Sequence, residues 1–159
     1  MAISQHLSSY LQDCGARYEV CSHAHSRSSA ETAHKANLLP SQLAKSVILE
    51  DDDGYVMAVI PSDKRVMVGE LARMLGRPRL RLSDEENIAR MFRDCEPGAI
   101  PALGMPWGIE TVVDDELEEN AEIYMEAGDH EQLLRMSHEQ FHALMLSQRH
   151  GHFCRNQLH

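Results

Sequence analysis

Two apolar segments on either side of an acidic turn constrain the fold of this 159-residue chain most strongly. Residues 45–49 and 55–60 are rich in β-branched and other apolar side chains, the composition of strands within a sheet. Between them, residues 51–54 read Asp-Asp-Asp-Gly, a polar turn whose glycine can adopt positive φ. The sequence therefore predicts a β-hairpin in this part of the chain.

Helical and strand patterns are interspersed along the rest of the chain. Apolar residues at helical spacing, together with capping boxes, predict helices at 3–14, 28–36 and 68–75, and others beginning at the boxes Ser83-Asp84-Glu85-Glu86 and Ser137-His138-Glu139-Gln140. Alternating apolar and polar residues predict short strands, among them 17–21, 111–113, 122–126 and 132–136. Because these elements do not follow a regular βαβ order, the sequence predicts an α+β fold.

Cysteine usage and the first residues bear on the compartment. The four cysteines, Cys14, Cys21, Cys95 and Cys154, form no CxxC pair and no zinc-like spacing, so we expect free thiols in a reducing cytoplasm. The N-terminal residues lack the basic start and apolar core of a signal peptide. No apolar run approaches the length of a membrane span. We therefore expect a cytoplasmic protein with no membrane partner.

The net charge of −10 argues against general nucleic-acid binding, but the charges are unevenly distributed. Residues 64–81 contain six basic side chains opposed only by Glu70, whereas residues 114–131 contain nine acidic side chains and no lysine or arginine. The basic segment could contact phosphates that the acidic segment would repel. The simpler alternative is two ordinary solvated faces.

Three segments carry the candidate functional residues. Lys45 opens the first strand of the predicted hairpin, residues 97–104 form a rigid loop rich in proline and glycine, and His130 ends the turn Ala127-Gly128-Asp129-His130. Each has a structural alternative: a solvated surface lysine, an ordinary turn, or a histidine without a catalytic role. The usual pairs of nucleophile and base are absent, which is uncommon for an enzyme.

The order and spacing of these segments resemble the YbaK family of aminoacyl-tRNA deacylases, which includes the editing domain inserted in some prolyl-tRNA synthetases. The resemblance covers about residues 18–146, which we expect to form the core of a single domain spanning 1–159, followed by a polar tail at 149–159 that frays. It implies a mixed, largely antiparallel, barrel-like sheet surrounded by helices.

The resemblance also implies roles for particular residues. Lys45 would hold the ribose-phosphate end of the charged tRNA, Gly98 would orient the ester through the loop backbone, and His130 would place a water or hydroxyl. Further residues are implied to bind the substrate: His25, Ser28, Thr32, Ala99, Pro101, Gly104 and Gly128. The chain departs from the family where residues 102–103 read Ala-Leu instead of the Pro-Phe of many relatives, a change that bears on amino-acid selectivity.

The function implied by the resemblance is trans-acting editing, in which the ester between a wrong amino acid and tRNA is hydrolysed without a metal or other cofactor. The expected partner is the acceptor end of an aminoacyl-tRNA, first of all tRNA-Pro carrying alanine or cysteine, with an aminoacyl-tRNA synthetase as a further partner. Whether the protein is a monomer or a homodimer stays open.

Two rival interpretations remain open from the sequence. One is a non-enzymatic module that binds a small ligand or a synthetase in the same cleft. The other is a metalloprotein that uses two histidine clusters, one at residues 23–34 and one at residues 150–154. Neither cluster has the spacing of a closed zinc site, so no metal ligand is predicted.

Overall fold

The computed structural model describes residues 3–157, apart from the side chain of Ser29. Within that range the helices are α1 (Gln5–Asp13), α2 (Ser29–Lys35), α3 (Val68–Leu75), α4 (Glu85–Met91) and α5 (His138–Met145). The strands are β1 (Glu19–Ser22), β2 (Leu43–Asp51), β3 (Gly54–Pro61), β4 (Lys64–Val66), β5 (Arg81–Leu82), β6 (Glu110–Asp114), β7 (Glu122–Glu126), β8 (Gln132–Ser137), β9 (Arg149–Gly151) and β10 (Cys154–Asn156).

A mixed eight-stranded sheet forms the centre of the molecule, in the order β1-β8-β7-β2-β3-β6-β9, with β5 paired to β2. The predicted hairpin is present, since β2 and β3 pair antiparallel along their whole length. The pairs β2–β7, β3–β6 and β6–β9 are parallel, and the other pairs in this sheet are antiparallel. The predicted α+β architecture with a mixed sheet and flanking helices is confirmed.

Alternate residues of β2 and β3 are buried on opposite faces of the sheet. On one face, Ile48 and Met57 belong to the larger core, which α1, α4 and α5 also enter. On the other face, Leu49 and Ala58 belong to a second core that includes α3 and Phe153. Because both faces are covered, β3 and the middle of β2 at residues 47–49 are apolar without the polar alternation of a half-exposed strand.

Helix starts follow the capping patterns with one exception. Ser28 and Ser137 each accept a backbone N–H in the first turn of α2 and α5, as predicted. The expectation that Ser83 begins α4 is wrong, because the Asp84 carboxylate is the group that accepts the Asn87 N–H, at 2.8 Å. Asp84 is therefore the N-cap of α4, one residue later than predicted.

The expectation that residues 149–159 fray is wrong for the part of the tail that the structure describes, which ends at residue 157. β9 pairs with β6, and β10 forms a separate two-stranded sheet with β4. Phe153 is only 1% exposed, and the buried Asp114 carboxylate accepts the N–H groups of Phe153 and Cys154 at 2.8 and 3.0 Å. One aromatic side chain and one carboxylate therefore fix a segment whose polar composition suggested disorder.

The buried core also extends beyond the expected limits of 18–146. Leu7 and Leu11 of α1 are fully buried in the larger core, and Phe153 is buried in the second core. Both ends of the chain therefore contribute to packing. In the part of the chain described, no helix has the length and apolar character needed to cross a membrane.

The ordered tail makes a testable claim about stability. Replacing the buried ring in Phe153→Ala should lower the free energy of unfolding by about 3 to 5 kcal/mol, because it leaves a cavity in the second core. The matched variant Leu146→Ala, at an apolar residue that is 69% exposed, should change it by less than about 0.5 kcal/mol. Urea denaturation measures both values, and equal small effects would show that the tail frays after all.

Candidate active site

A cavity of about 300 Å³ lies between β2, α4 and the loop that follows α4. Its apolar wall includes Ala44, Ile48, Ile88, Ala89, Phe92 and Ile100. Its polar lining includes Lys45, Ser46, Ser83, Glu85, Glu96 and Glu126. A mostly apolar pocket with a few converging polar groups is the usual form of a small-ligand site.

The loop at residues 97–100 is tied to the sheet on one side of the cavity. Ser46 on β2 donates a hydrogen bond from its hydroxyl to the Ile100 carbonyl at 3.1 Å. Leu82, at the end of β5, lies on the opposite side and is 60% exposed. This exposed side chain therefore borders the cavity and does not pack in the core.

Gly98 lies at the point where this loop meets the turn between β7 and β8. Its φ of +80° is in the left-handed region that favours glycine. A Cβ atom at this position would lie 3.2 Å from His130 Cε1 and 3.3 Å from the Arg27 carbonyl oxygen. Glycine is therefore required both by the backbone conformation and by the close approach of neighbouring groups.

His130 holds the loop in place through a contact with Pro97. It is 4% exposed, and its φ of +60° is rarely adopted by a residue other than glycine. Its Nε2 atom lies 2.5 Å from the Pro97 carbonyl oxygen, which can only accept, so Nε2 carries a proton and donates it. In the neutral ring, Nδ1 is then unprotonated, and this atom lies 3.6 Å from Glu126 Oε2.

Glu126 places a buried carboxyl group in the cavity wall. The residue is 3% exposed, and neither carboxyl oxygen has a hydrogen bond of good geometry within the described residues. Burial raises the pKa of Glu126 to about 7, an effect that the nearby Thr32 hydroxyl partly opposes and that the Asp129 carboxyl reinforces. Both the protonated and the ionised forms of Glu126 are therefore populated at neutral pH.

Lys45 lies in the cavity wall, where its ammonium group already has a hydrogen-bond partner. Nζ donates a hydrogen bond to the Lys64 carbonyl oxygen at 2.8 Å. Strand alternation turns its side chain away from that of Ser46, toward the turn between β3 and β4. Burial lowers the pKa of Lys45, while the Asp63 carboxylate has the opposite effect.

The other predicted loop residues lie behind the cavity surface. Ala99, Pro101 and Gly104 are buried and are not among the cavity-lining residues. A Cβ atom at Gly104 would lie 2.5 Å from Thr111 Oγ1, so this glycine permits packing against β6. Gly128 likewise packs on α1 and the end of α4, where its Cβ would lie 3.3 Å from Ser4 Cβ.

The predicted residues before and within α2 form an outer layer around His130. The His25 ring centroid is 5.7 Å from that of His130, with the rings in an edge-to-face arrangement. Thr32 is fully buried and its hydroxyl is hydrogen-bonded to that of Ser26. Ser28 caps α2 and is exposed. The structure thus brings Lys45 and Gly98 to the cavity, with His130 and Thr32 beneath it.

Sequence reasoning missed Glu126, the most deeply buried carboxyl group in the cavity wall. Its signal was weak: an acidic residue ends a strand pattern and stands four residues before His130. Along β7 it shares a face with Tyr124, and that face is covered by α2 and the segment before it. Burial of this face depends on tertiary packing, which strand periodicity alone does not reveal.

Cys95 also lines the cavity, yet it is not poised to act as a nucleophile. Burial, reinforced by the neighbouring Asp94 carboxylate, raises the pKa of Cys95 to about 12. The thiolate is the nucleophilic form of cysteine, so this protonated thiol is unreactive at neutral pH.

The basic segment at 64–81 is partly neutralised within the described residues. Arg77 pairs with Asp51 and Glu110, Arg79 pairs with Asp52, and Lys64 lies 3.7 Å from Glu116. The ion pair with Arg77 lowers the pKa of Asp51 to about 2. Arg65, Arg73 and Arg81 are exposed and form no ion pair in residues 3–157.

One histidine cluster approaches a metal-like arrangement. Asp114, Glu116 and His152 each place a ligand atom within 4.8 Å of the others. However, Asp114 already accepts the backbone N–H groups of Phe153 and Cys154, and Lys64 lies beside Glu116. These contacts explain the cluster as the anchor of the C-terminal tail.

Solved structures with a similar fold cover nearly the whole chain. A candidate trans-editing enzyme for prolyl tRNA synthetase is 19% identical, with a TM-score of 0.82 over 96% of this chain and 97% of its own. A hypothetical protein is 22% identical, with a TM-score of 0.83 over 95% and 100% of the two chains. A candidate signal transduction protein from Marinobacter aquaeolei VT8 is 25% identical, with a TM-score of 0.72 over 94% of this chain and 30% of its own.

A search of curated protein sequences found no match. The sequence model of the aminoacyl-tRNA editing domain matches residues 23–144, well over half of the chain. The matched region contains all three segments on which the resemblance was based: the start of β2, the loop at 97–104 and the turn that ends at His130. The chain therefore belongs to the aminoacyl-tRNA editing domain family, as its sequence predicted.

Proposed function

We propose that this protein is a trans-acting deacylase that hydrolyses the ester between a wrong amino acid and the 3′ end of a tRNA. Water adds to the ester carbonyl, the bond to the terminal ribose oxygen breaks, and the products are a free amino acid and an uncharged tRNA. The observation that carries the proposal is the cavity between β2 and the Gly98 loop, with the buried Glu126 in its wall.

The cavity is large enough to hold the aminoacyl end of a tRNA. Its volume of about 300 Å³ admits a side chain of any size, so selection among amino acids would come from the shape of its apolar walls. Such a second pocket is useful because a synthetase site discriminates poorly against smaller or isosteric amino acids. Alanine or cysteine on tRNA-Pro is the first substrate to test, with the acceptor end as the bound part and a cytoplasmic synthetase as partner.

The residues at the cavity would have two kinds of role, which are to position the substrate and to bind or release protons. Lys45 would exchange its bond to the Lys64 carbonyl for one to a phosphate or ribose oxygen of the tRNA end. The Gly98 backbone would lie against the ester, held in place by the bond between His130 and Pro97. His130 acts through the loop and Glu126, since it does not itself line the cavity.

A second candidate function is a non-enzymatic module that holds a small ligand in the same cavity. Its support is that Lys45 and His130 already have partners within the protein. A deacylation screen over a panel of mischarged tRNAs distinguishes the two functions when the protein concentration is far below the substrate concentration. Multiple turnovers on any of these esters support the deacylase, and binding without turnover supports the module.

The charge of Lys45 should be needed for turnover. Lys45→Met keeps most of the side-chain packing but removes the ammonium, so kcat/KM should fall by about 10- to 100-fold, the value of one charge-assisted hydrogen bond. Lys64→Met is the matched control, because Lys64 lies outside the cavity wall and its charge pairs with Glu116. Near-normal turnover by a well-folded Lys45→Met protein would show that the charge of Lys45 does not contribute to turnover.

The Gly98 loop should be sensitive to a single added methyl group. Gly98→Ala would press on His130 and shift the loop, and even small misplacement of a reacting group is costly, so turnover should fall by at least about tenfold. Gly76→Ala is the control, since Gly76 has a similar φ of +66° but no atom within 4 Å of the added Cβ. Both variants carry similar backbone strain, and equal activities in the deacylation assay would contradict the role of the loop.

Burial of Glu126 should make stability depend on pH. Its pKa is about 7 in the folded protein against an ordinary 4.5, so its contribution is fully present below pH 4.5 and is lost as pH rises through 7. Glu126→Gln removes this dependence, so between pH 5 and pH 8 its unfolding free energy should gain roughly 2 to 3 kcal/mol relative to wild type.

Urea unfolding at the two pH values measures this difference. Glu122→Gln serves as the control, because Glu122 lies on the same strand but is exposed. A wild-type protein and a Glu126→Gln variant with parallel pH profiles would show that Glu126 is ionised in the folded state, as it is in the unfolded chain.

A further inference from the structure

We infer that the carboxyl group of Glu126 binds the α-ammonium group of the aminoacyl ester, so that the site acts on esters with a free, charged amino group. The inference rests on the proposed deacylase function and names the feature of the substrate that this cavity recognises. It assigns Glu126 as a specificity-determining residue.

The first argument is the charge of the cavity lining. Three carboxyl groups, those of Glu85, Glu96 and Glu126, line it, whereas Lys45 is the one lysine or arginine among the lining residues described. The Lys45 ammonium donates a hydrogen bond to the backbone carbonyl of Lys64 and to none of these three carboxyl groups. A lining with this balance favours a cationic ligand group over a neutral or anionic one.

The second argument is the unsatisfied state of Glu126. Buried polar atoms nearly always have hydrogen-bond partners, yet both Glu126 oxygens lack one within the described residues. An ammonium group offers three donors and a full positive charge, which suits a buried carboxylate with free lone pairs. An α-amino group is also the one cation that every aminoacyl ester carries.

Glu126 lines the cavity, but both of its carboxyl oxygens are buried, so contact with a ligand there requires its side chain to turn toward the cavity. The neighbouring polar groups are His130 Nδ1 at 3.6 Å, the Thr32 hydroxyl and the Asp129 carboxyl, all buried. His130 is held by its bond to Pro97, and Thr32 by its bond to Ser26. Glu96 is only half-buried and Glu85 is exposed, so both can be solvated without a ligand.

Glu126 could instead act as a general base that activates water, and the two roles predict different substrate dependence. Loss of a base would slow hydrolysis of every ester by the same factor. Loss of an ammonium-binding group would slow only esters that carry the ammonium. The comparison therefore needs two substrates of the same shape that differ in this charge.

The experiment compares alanyl-tRNA with lactyl-tRNA, in which nitrous acid has replaced the amino group by a hydroxyl. Both are prepared on the tRNA that the deacylation panel identifies, and each rate is divided by the uncatalysed rate of the same ester. Wild-type protein should prefer alanyl-tRNA by about 10- to 100-fold in kcat/KM, the range for a hydrogen bond to a charged group. Glu126→Gln should lower this preference to within about threefold, and Glu122→Gln should retain it.

Four results would overturn the inference. Equal wild-type rates on alanyl-tRNA and lactyl-tRNA would show that the site does not recognise the ammonium group, and they would leave the proposed deacylase function standing. An unchanged preference in Glu126→Gln, or loss of the preference in Glu96→Gln instead, would assign the contact to another residue. If Glu126→Gln does not fold, Glu126→Asp takes its place, because the shorter carboxylate should weaken the preference. Absence of turnover on both esters would overturn the proposed function itself, and this inference with it.

Discussion

Burial of β2 and β3 on both faces is the constraint on which the rest of the structure depends. Apolar residues alternate between two cores, so each face of this hairpin needs its own cover. Helices α1, α4 and α5 cover one face, while α3 and the C-terminal tail cover the other. The cavity lies where α4 and the loop after it only partly close over β2.

A second constraint is the contact between His130 and the loop beside the cavity. His130 adopts a conformation unusual for its residue type and donates a hydrogen bond to the Pro97 carbonyl, which fixes the loop that contains Gly98. The same ring faces Glu126 with its other nitrogen. Strained backbone and a buried, unsatisfied carboxyl are costly for stability, and their occurrence together at one cavity is typical of a functional site.

Local patterns in the sequence predicted the hairpin and the five helices, because these depend on short-range periodicity, capping and turn geometry. The grouping of Lys45 and Gly98 in one candidate site came instead from the resemblance to the family. The local patterns failed where tertiary packing decides. Phe153 is buried although its neighbours are polar, and Glu126 is buried because α2 covers its face of β7. The resemblance implies that the Lys45 ammonium binds the end of the tRNA, and in the structure this ammonium donates a hydrogen bond to the Lys64 carbonyl.

The most direct test of this account is a crystal structure of the protein with 3′-alanylamino-3′-deoxyadenosine, a stable amide analogue of the end of a charged tRNA. The account predicts the alanyl group between β2 and the Gly98 loop, with its ammonium nitrogen about 2.7 to 3.0 Å from a Glu126 carboxyl oxygen. An analogue bound elsewhere on the protein, or bound in the cavity with its amino group pointing to solvent, would contradict it.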